Sequence, residues 1–90
     1  MSVSNLVSRA SNGSGASATT LPRHIVFLII SEDATATIEF SFDDSTWYTL
    51  HQTVDTTEHV SISEWYPYLR GTVSAYGSGT VSIDMALDPN

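Results

Sequence analysis

Six consecutive apolar residues, Ile25–Ile30, place the tightest constraint on how this chain folds. Side chains of a strand alternate between its two faces, so an unbroken apolar run asks for cover on both. If Ile25, Phe27 and Ile29 point into a core, Val26, Leu28 and Ile30 point away from it, or the reverse. Each such side chain contributes about 1.5–3 kcal/mol when fully buried. The second face therefore calls for a partner subunit, for the amino-terminal segment, or for a crossing loop over a central strand. The run is far shorter than the ~20 residues of a membrane-spanning helix.

From residue 24 onward β-branched and aromatic residues dominate, while glycine and proline are sparse. Ala36, Ile38, Phe40 and Phe42 alternate with Thr35, Thr37, Glu39 and Ser41, which predicts a half-buried strand with all four apolar side chains inward. Asp43-Asp44-Ser45-Thr46 is turn chemistry, because short oxygen side chains bond their own backbone. Trp47–Val54 then returns as the second arm of a hairpin. A second turn is expected at Asp55–Thr57, followed by a short strand containing Val60 and Ile62. Pro67 donates no backbone hydrogen bond and marks a corner or a strand start. Leu69, Val73 and Ala75 form one face of the next strand, Tyr76-Gly77-Ser78-Gly79 reads as a hairpin turn, and Val81, Ile83, Met85 and Leu87 line the inner face of the last. The expected fold is all-β, a single small antiparallel β-sandwich or barrel of six or seven strands with an extended amino-terminal arm.

The first twenty residues have different chemistry. They are mostly Ser, Gly, Ala, Asn and Thr, with Val3, Leu6 and Val7 as apolar anchors, too few to offset the entropy of ordering them alone. Residues 1–24 carry Arg9 and Arg23 and no acid, whereas Arg70 and all ten acids lie in 25–90. The expected division is an arm over 1–23 and a β-sandwich domain over 24–90. A mildly basic arm on an acidic body suggests a strap across another acidic surface; the plainer reading is a linker or frayed terminus. No apolar run of about 7–15 residues follows the start, so a secretory signal is not expected and the arm is read as unprocessed on a soluble protein.

Little catalytic chemistry is on offer. Without cysteine there is no disulfide, thiolate metal site or cysteine nucleophile. His24, His51 and His59 sit in no nucleophile context, and fourteen serines make any His/Ser pairing uninformative. His51, Asp55, Glu58 and His59 suggest a metal site, but a hairpin at Asp55–Thr57 sets His51 near Ser61 and the histidines diagonal to each other. Asp43 and Asp44 are adjacent, hence a poor acid/base pair. The chain is read as no enzyme, with no cofactor and no metal. A net charge of −7 disfavours nucleic acid and anionic membranes as partners. The aromatic residues Trp47, Tyr48, Trp65, Tyr66, Tyr68 and Tyr76 admit a sugar-stacking platform; the plainer reading puts both tryptophans in the core and the tyrosines at strand rims.

Three segments carry a resemblance. Ser41-Phe42-Asp43-Asp44-Ser45-Thr46-Trp47-Tyr48-Thr49-Leu50, Trp65-Tyr66-Pro67-Tyr68-Leu69-Arg70-Gly71-Thr72-Val73 and Gly77-Ser78-Gly79-Thr80-Val81-Ser82-Ile83 together resemble small β-sandwich structural proteins of tailed bacteriophage virions, the capsid decoration or cement type. The likeness is one of pattern over roughly residues 36–87. The Ser-x-Asp…Trp hairpin is also similar to the Asp-box of sialidase-like propellers, but the motif's glycine is missing and Trp47 comes one residue early, so no sialidase role carries over. The decoration-protein resemblance implies a virion component assembled in the host cytoplasm, bound to the major capsid protein at the capsid surface, often as a trimer. On that footing Leu6, Val7 and Arg9 anchor the arm on its partner, Arg23 and Arg70 pair with capsid acids, and the Ile25–Ile30 edge, with Val26, Leu28 and Ile30, completes the contact. Deleting residues 1–20 is then expected to abolish binding and leave the body folded. A tail, neck or head-fibre module and a carbohydrate-binding module, testable at Tyr68 and Tyr76, are the alternatives.

Overall fold

The computed structural model describes residues 2–19 and 25–87, and every regular element among them is a strand. These are β1 (Ser2–Arg9), β2 (Gly13–Ser14), β3 (Ala18–Thr19), β4 (Ile25–Ile30), β5 (Asp33–Ser41), β6 (Tyr48–Val54), β7 (Thr57–Ile62), β8 (Tyr68–Ser78) and β9 (Val81–Leu87). One sheet, A, has the order β1-β9-β4-β7; the other, B, runs β2-β8-β5-β6, with β3 also on β8. All pairings are antiparallel. The expected all-β class is what the structure has.

Strand alternation explains the core. Ile25, Phe27 and Ile29 of β4 and Val81, Ile83 and Met85 of β9 are buried from sheet A, against Ala34, Ala36 and Ile38 of β5 and Leu69 and Val73 of β8 from sheet B. The β5–β6 hairpin forms around the 42–47 turn, with Phe40 opposite Tyr48 and Thr35 opposite Val54. Asp43 Oδ1 accepts hydrogen bonds from Ser41 Oγ and from the backbone N–H groups of Ser45 and Thr46, each at 2.9 Å, and Asp44 takes a φ of 61°. Those bonds favour the ionised carboxylate, and the Thr46 amide above all holds the Asp43 pKa below the usual aspartate range.

Two turns expected as hairpins instead carry the chain from one sheet to the other. β6 belongs to sheet B and β7 to sheet A, and the same change separates β8 from β9. Asp55 and Gly79, with φ of 53° and 82°, turn the backbone out of the plane of its sheet. The Asp55 corner is fixed by Asp55 N–H on the Ala34 carbonyl at 3.1 Å and Ser31 N–H on the Thr56 carbonyl at 3.2 Å. Ala75 leaves the expected inward row: with a φ of 49° it is exposed and bends the end of β8.

The largest departure from the sequence reading is the arm. Residues 2–19 are part of the packed body: β1 pairs with β9 from Ser2 opposite Leu87 to Arg9 opposite Val81. The register shifts between Asn5 and Val7. A bulge sets neighbouring residues on one side of a strand, and Leu6 and Val7 both enter the core at 2% and 3% exposure. Room for them comes from glycine. A Cβ on Gly71 of β8 would stand 2.6 Å from Val7 Cγ1, and one on Gly15 would strike the Leu6 carbonyl oxygen. The chain then crosses to sheet B, where β2 and β3 cover the free edge of β8 and Gly15 N–H bonds the Gly71 carbonyl at 2.9 Å. Composition alone undercounted this segment because two well-placed side chains and a completed ladder outweigh low average hydrophobicity.

Candidate functional site: two unlike outer faces

Each sheet has an outer face, and the two differ in chemistry. On sheet B the outward residues of β5 and β8 are directly paired, Glu39 with Arg70, Thr37 with Thr72 and Thr35 with Ser74. Arg70 Nε donates to Glu39 Oε1 at 2.8 Å, and Thr72 Oγ1 donates to the same oxygen. Ser14 and Thr72 hydroxyls lie 2.8 Å apart, and Gln52 Nε2 donates to Thr37 Oγ1 at 3.3 Å. The Arg70 guanidinium lies 4.3 Å from the ring centroid of Trp47, a cation–π contact. Glu39, Arg70, Thr72, Thr37, Ser14 and Gln52 thus bond within this face.

Sheet A has a bare aliphatic row at its centre. Val26, Leu28 and Ile30 of β4 point outward at 40%, 43% and 36% exposure, while their neighbours Ile25, Phe27 and Ile29 are fully buried. Directly paired residues share a face. Each of the three is flanked on β9 by Ala86, Asp84 and Ser82, and on β7 by Ser61, His59 and Thr57. On β1, Asn5 stands opposite Asp84 and donates to it through Nδ2 at 2.9 Å. Among the described residues neither the arm nor a crossing loop covers the row.

The remaining expected contact residues are placed otherwise. Leu6 and Val7 are core, with no surface to offer a partner. Arg9 is turned back on its own chain, Nη1 donating to the Ser14 carbonyl at 3.0 Å and Nε to Ser11 Oγ at 3.3 Å. Arg70 is engaged by Glu39 and Trp47. Arg23 lies outside the described residues, as does His24. The structure thus retains Val26, Leu28 and Ile30 from the expected set as available surface.

Two further groups were misplaced by sequence reasoning. Phe42, expected inward, is 68% exposed, because β5 ends at Ser41, whose buried hydroxyl turns to Asp43. Trp65, expected in the core, is 44% exposed, and Trp47 is half-buried on the outside of sheet B. Phe40 packs on Tyr66 with ring centroids 4.3 Å apart and on Tyr48 at 5.6 Å, so an aromatic group covers this end of the sandwich. Tyr66 Oη donates to Glu64 at 2.6 Å, and that carboxylate raises the phenol pKa.

His51 and Glu58 do meet, though not across a hairpin. Glu58 pairs with Ile29 in sheet A, and its side chain reaches across the corner to His51 Nε2 at 2.5 Å and to the Thr53 hydroxyl. The His51 contact, then the Thr53 hydrogen bond, holds the Glu58 pKa below the usual glutamate value. The arrangement ties the two sheets together; among the described residues no three acids or histidines gather in a way that would hold a metal ion. In comparisons with known proteins, the chain matches no family model, no curated protein and no solved structure.

Proposed function

We propose that this chain is a non-enzymatic structural protein of a tailed-phage virion, a decoration protein that binds the capsid shell and docks through the outer face of sheet A. The observation that carries the docking role is the contrast between the two outer faces. On sheet B Glu39, Arg70, Thr72 and Ser14 bond one another across the face, whereas sheet A leaves Val26, Leu28 and Ile30 exposed. An aliphatic row on the middle strand of a sheet gains free energy when another protein covers it. The virion setting rests on the resemblance of the 41–50, 65–73 and 77–83 segments, which a tail, neck or head-fibre module shares.

The test is pelleting with empty tailed-phage heads. Wild-type protein is expected to sediment with the heads, and Leu28→Asp is expected to stay in the supernatant with an unchanged circular dichroism spectrum. Equal pelleting of both proteins, or of neither, overturns the reading. Exposed Phe42 and Tyr48 rings favour a second reading, a carbohydrate-binding module. Glycan-array binding that is lost on Tyr48→Ala and kept in Leu28→Asp would select it.

A further inference from the structure

We infer that the outer face of sheet A pairs with the same face of a second copy of this chain, around a two-fold axis running along β4. The inference rests on the reading of that face as a docking surface and names the occupant it takes while the protein is free of the shell.

The argument comes from where the two ionisable side chains of the face stand. Leu28 is at the centre of the aliphatic row, with Asp84 opposite it on β9 and His59 opposite it on β7. An acid and an imidazole therefore flank the same leucine from opposite sides, one strand spacing away in each direction. A two-fold axis parallel to β4 through Leu28 exchanges left for right. It lays the Val26–Leu28–Ile30 row of one copy along that of the other and brings each Asp84 onto the partner copy's imidazole, twice. An axis across the strands would instead set acid on acid and imidazole on imidazole. Sheets packed face to face cross at about 30°; the axis then bisects the small angle between the two β4 strands, and each pair is displaced by roughly 2.5 Å for strands ~4.8 Å apart, within side-chain reach.

Charge points the same way. The chain carries −7 overall, so most surfaces of two copies repel. On this face Asp84 and His59 are the ionisable groups in the rows that flank β4, and Asn5 already donates to one Asp84 oxygen. A partner's imidazole at the second oxygen completes the acid, and the flanking Ser82, Ala86, Thr57 and Ser61 are small enough to let the leucines meet.

Size sets the strength. An axis along β4 overlaps three strands of each copy, β9, β4 and β7; at ~4.8 Å spacing and six residues of β4 at ~3.4 Å they describe a patch of about 300 Å² per copy. Doubled, this falls in the class of weak, transient interfaces. The pairing is therefore concentration-dependent, formed where copies are crowded together.

Sedimentation equilibrium from about 10 µM to 1 mM provides the test. Weight-average mass is expected to rise from 9.8 kDa toward twice that value. Leu28→Asp should remain at monomer mass throughout. His59→Asp and Asp84→His, each alone, should weaken association at least tenfold, and an equimolar mixture of the two should recover it, since each then offers what the other lacks. A wild-type mass that stays at monomer, a limiting mass of three copies, or a mixture no better than its components overturns the inference. Its failure is separable from that of the docking reading: a monomer that still pellets with phage heads in a Leu28-dependent way leaves the docking surface standing with another occupant.

Discussion

Replacing Gly71 by alanine is expected to destabilise the protein, and the sign of the effect decides whether the amino-terminal segment belongs to the core. The new methyl would lie 2.6 Å from Val7 Cγ1 and 3.0 Å from Ile83 Cδ1. Carbon atoms settle at about 3.5–4.0 Å, so something must move by roughly 1 Å. Val7 is β-branched and 3% exposed, which leaves it little rotamer freedom to yield. Overpacking of this kind costs about 1–3 kcal/mol. Were β1 a detached tail, the same change would remove a glycine from a strand and stabilise it by about 0.5–1 kcal/mol. Val7→Ala should cost about 2 kcal/mol through lost methyl burial and the cavity left. It also vacates the space that the methyl introduced at Gly71 needs, so the double variant should be less destabilised than the sum by about 1–2 kcal/mol. Urea unfolding followed by tryptophan fluorescence and far-ultraviolet circular dichroism measures all three. A Gly71→Ala protein as stable as wild type, or strictly additive effects, would refute the docking of β1 against β8.

Removing residues 1–20 should unfold the chain rather than merely detach an arm, since Leu6 and Val7 leave the core and β9 loses one of its two ladders; loss of the cooperative melt reports it. The Asp43 carboxyl should titrate below the ordinary aspartate value of about 3.9 by NMR, and its contribution to the 42–47 turn should be present above that value and disappear as pH falls through the lowered one. Glu58 obeys the same sign: the sheet-to-sheet tie with His51 should weaken as pH drops through the depressed glutamate pKa, and Glu58→Gln should flatten the acid limb of a plot of melting temperature against pH. Arg70→Lys should cost about 1 kcal/mol by exchanging a planar guanidinium for an ammonium at Glu39 and Trp47, with a change in Trp47 emission.

Where side-chain period and burial coincide, the fold was legible in the sequence. The alternation in Ile25–Ile30 and the inward set Val81, Ile83 and Met85 follow from a two-residue repeat, and Asp43-Asp44 announces its own turn. Irregularity concealed the rest. One shift of register at Asn5–Val7 turns Leu6 and Val7 to the same side, which no alternation rule anticipates. The turns at Asp55 and Gly79 use hairpin residues to change sheets, so His51 was matched with the wrong neighbour on β7. Of the candidate site, the outward row on β4 was readable from its period, because nothing about that strand is irregular. Leu6, Val7, Arg9 and Arg70 were assigned outward roles because composition does not say which partners lie within the same chain.

The pairing of β1 with β9 also fixes an order of events during translation. Asn5 and Asp84, which share a hydrogen bond, are 79 positions apart, and β9 lies between β1 and β4 in its sheet. β1 leaves the ribosome before the other strands of its sheet and must therefore wait, with its ladder edge unsatisfied, until β9 has followed. Sheet A closes last and all at once, by insertion of one late strand between two early ones. Such non-local closure is slow and leaves nascent edges open to wrong partners, so the scarcity of apolar residues around Leu6 and Val7 acts as protection: a strand half of serine and asparagine stays soluble while it waits.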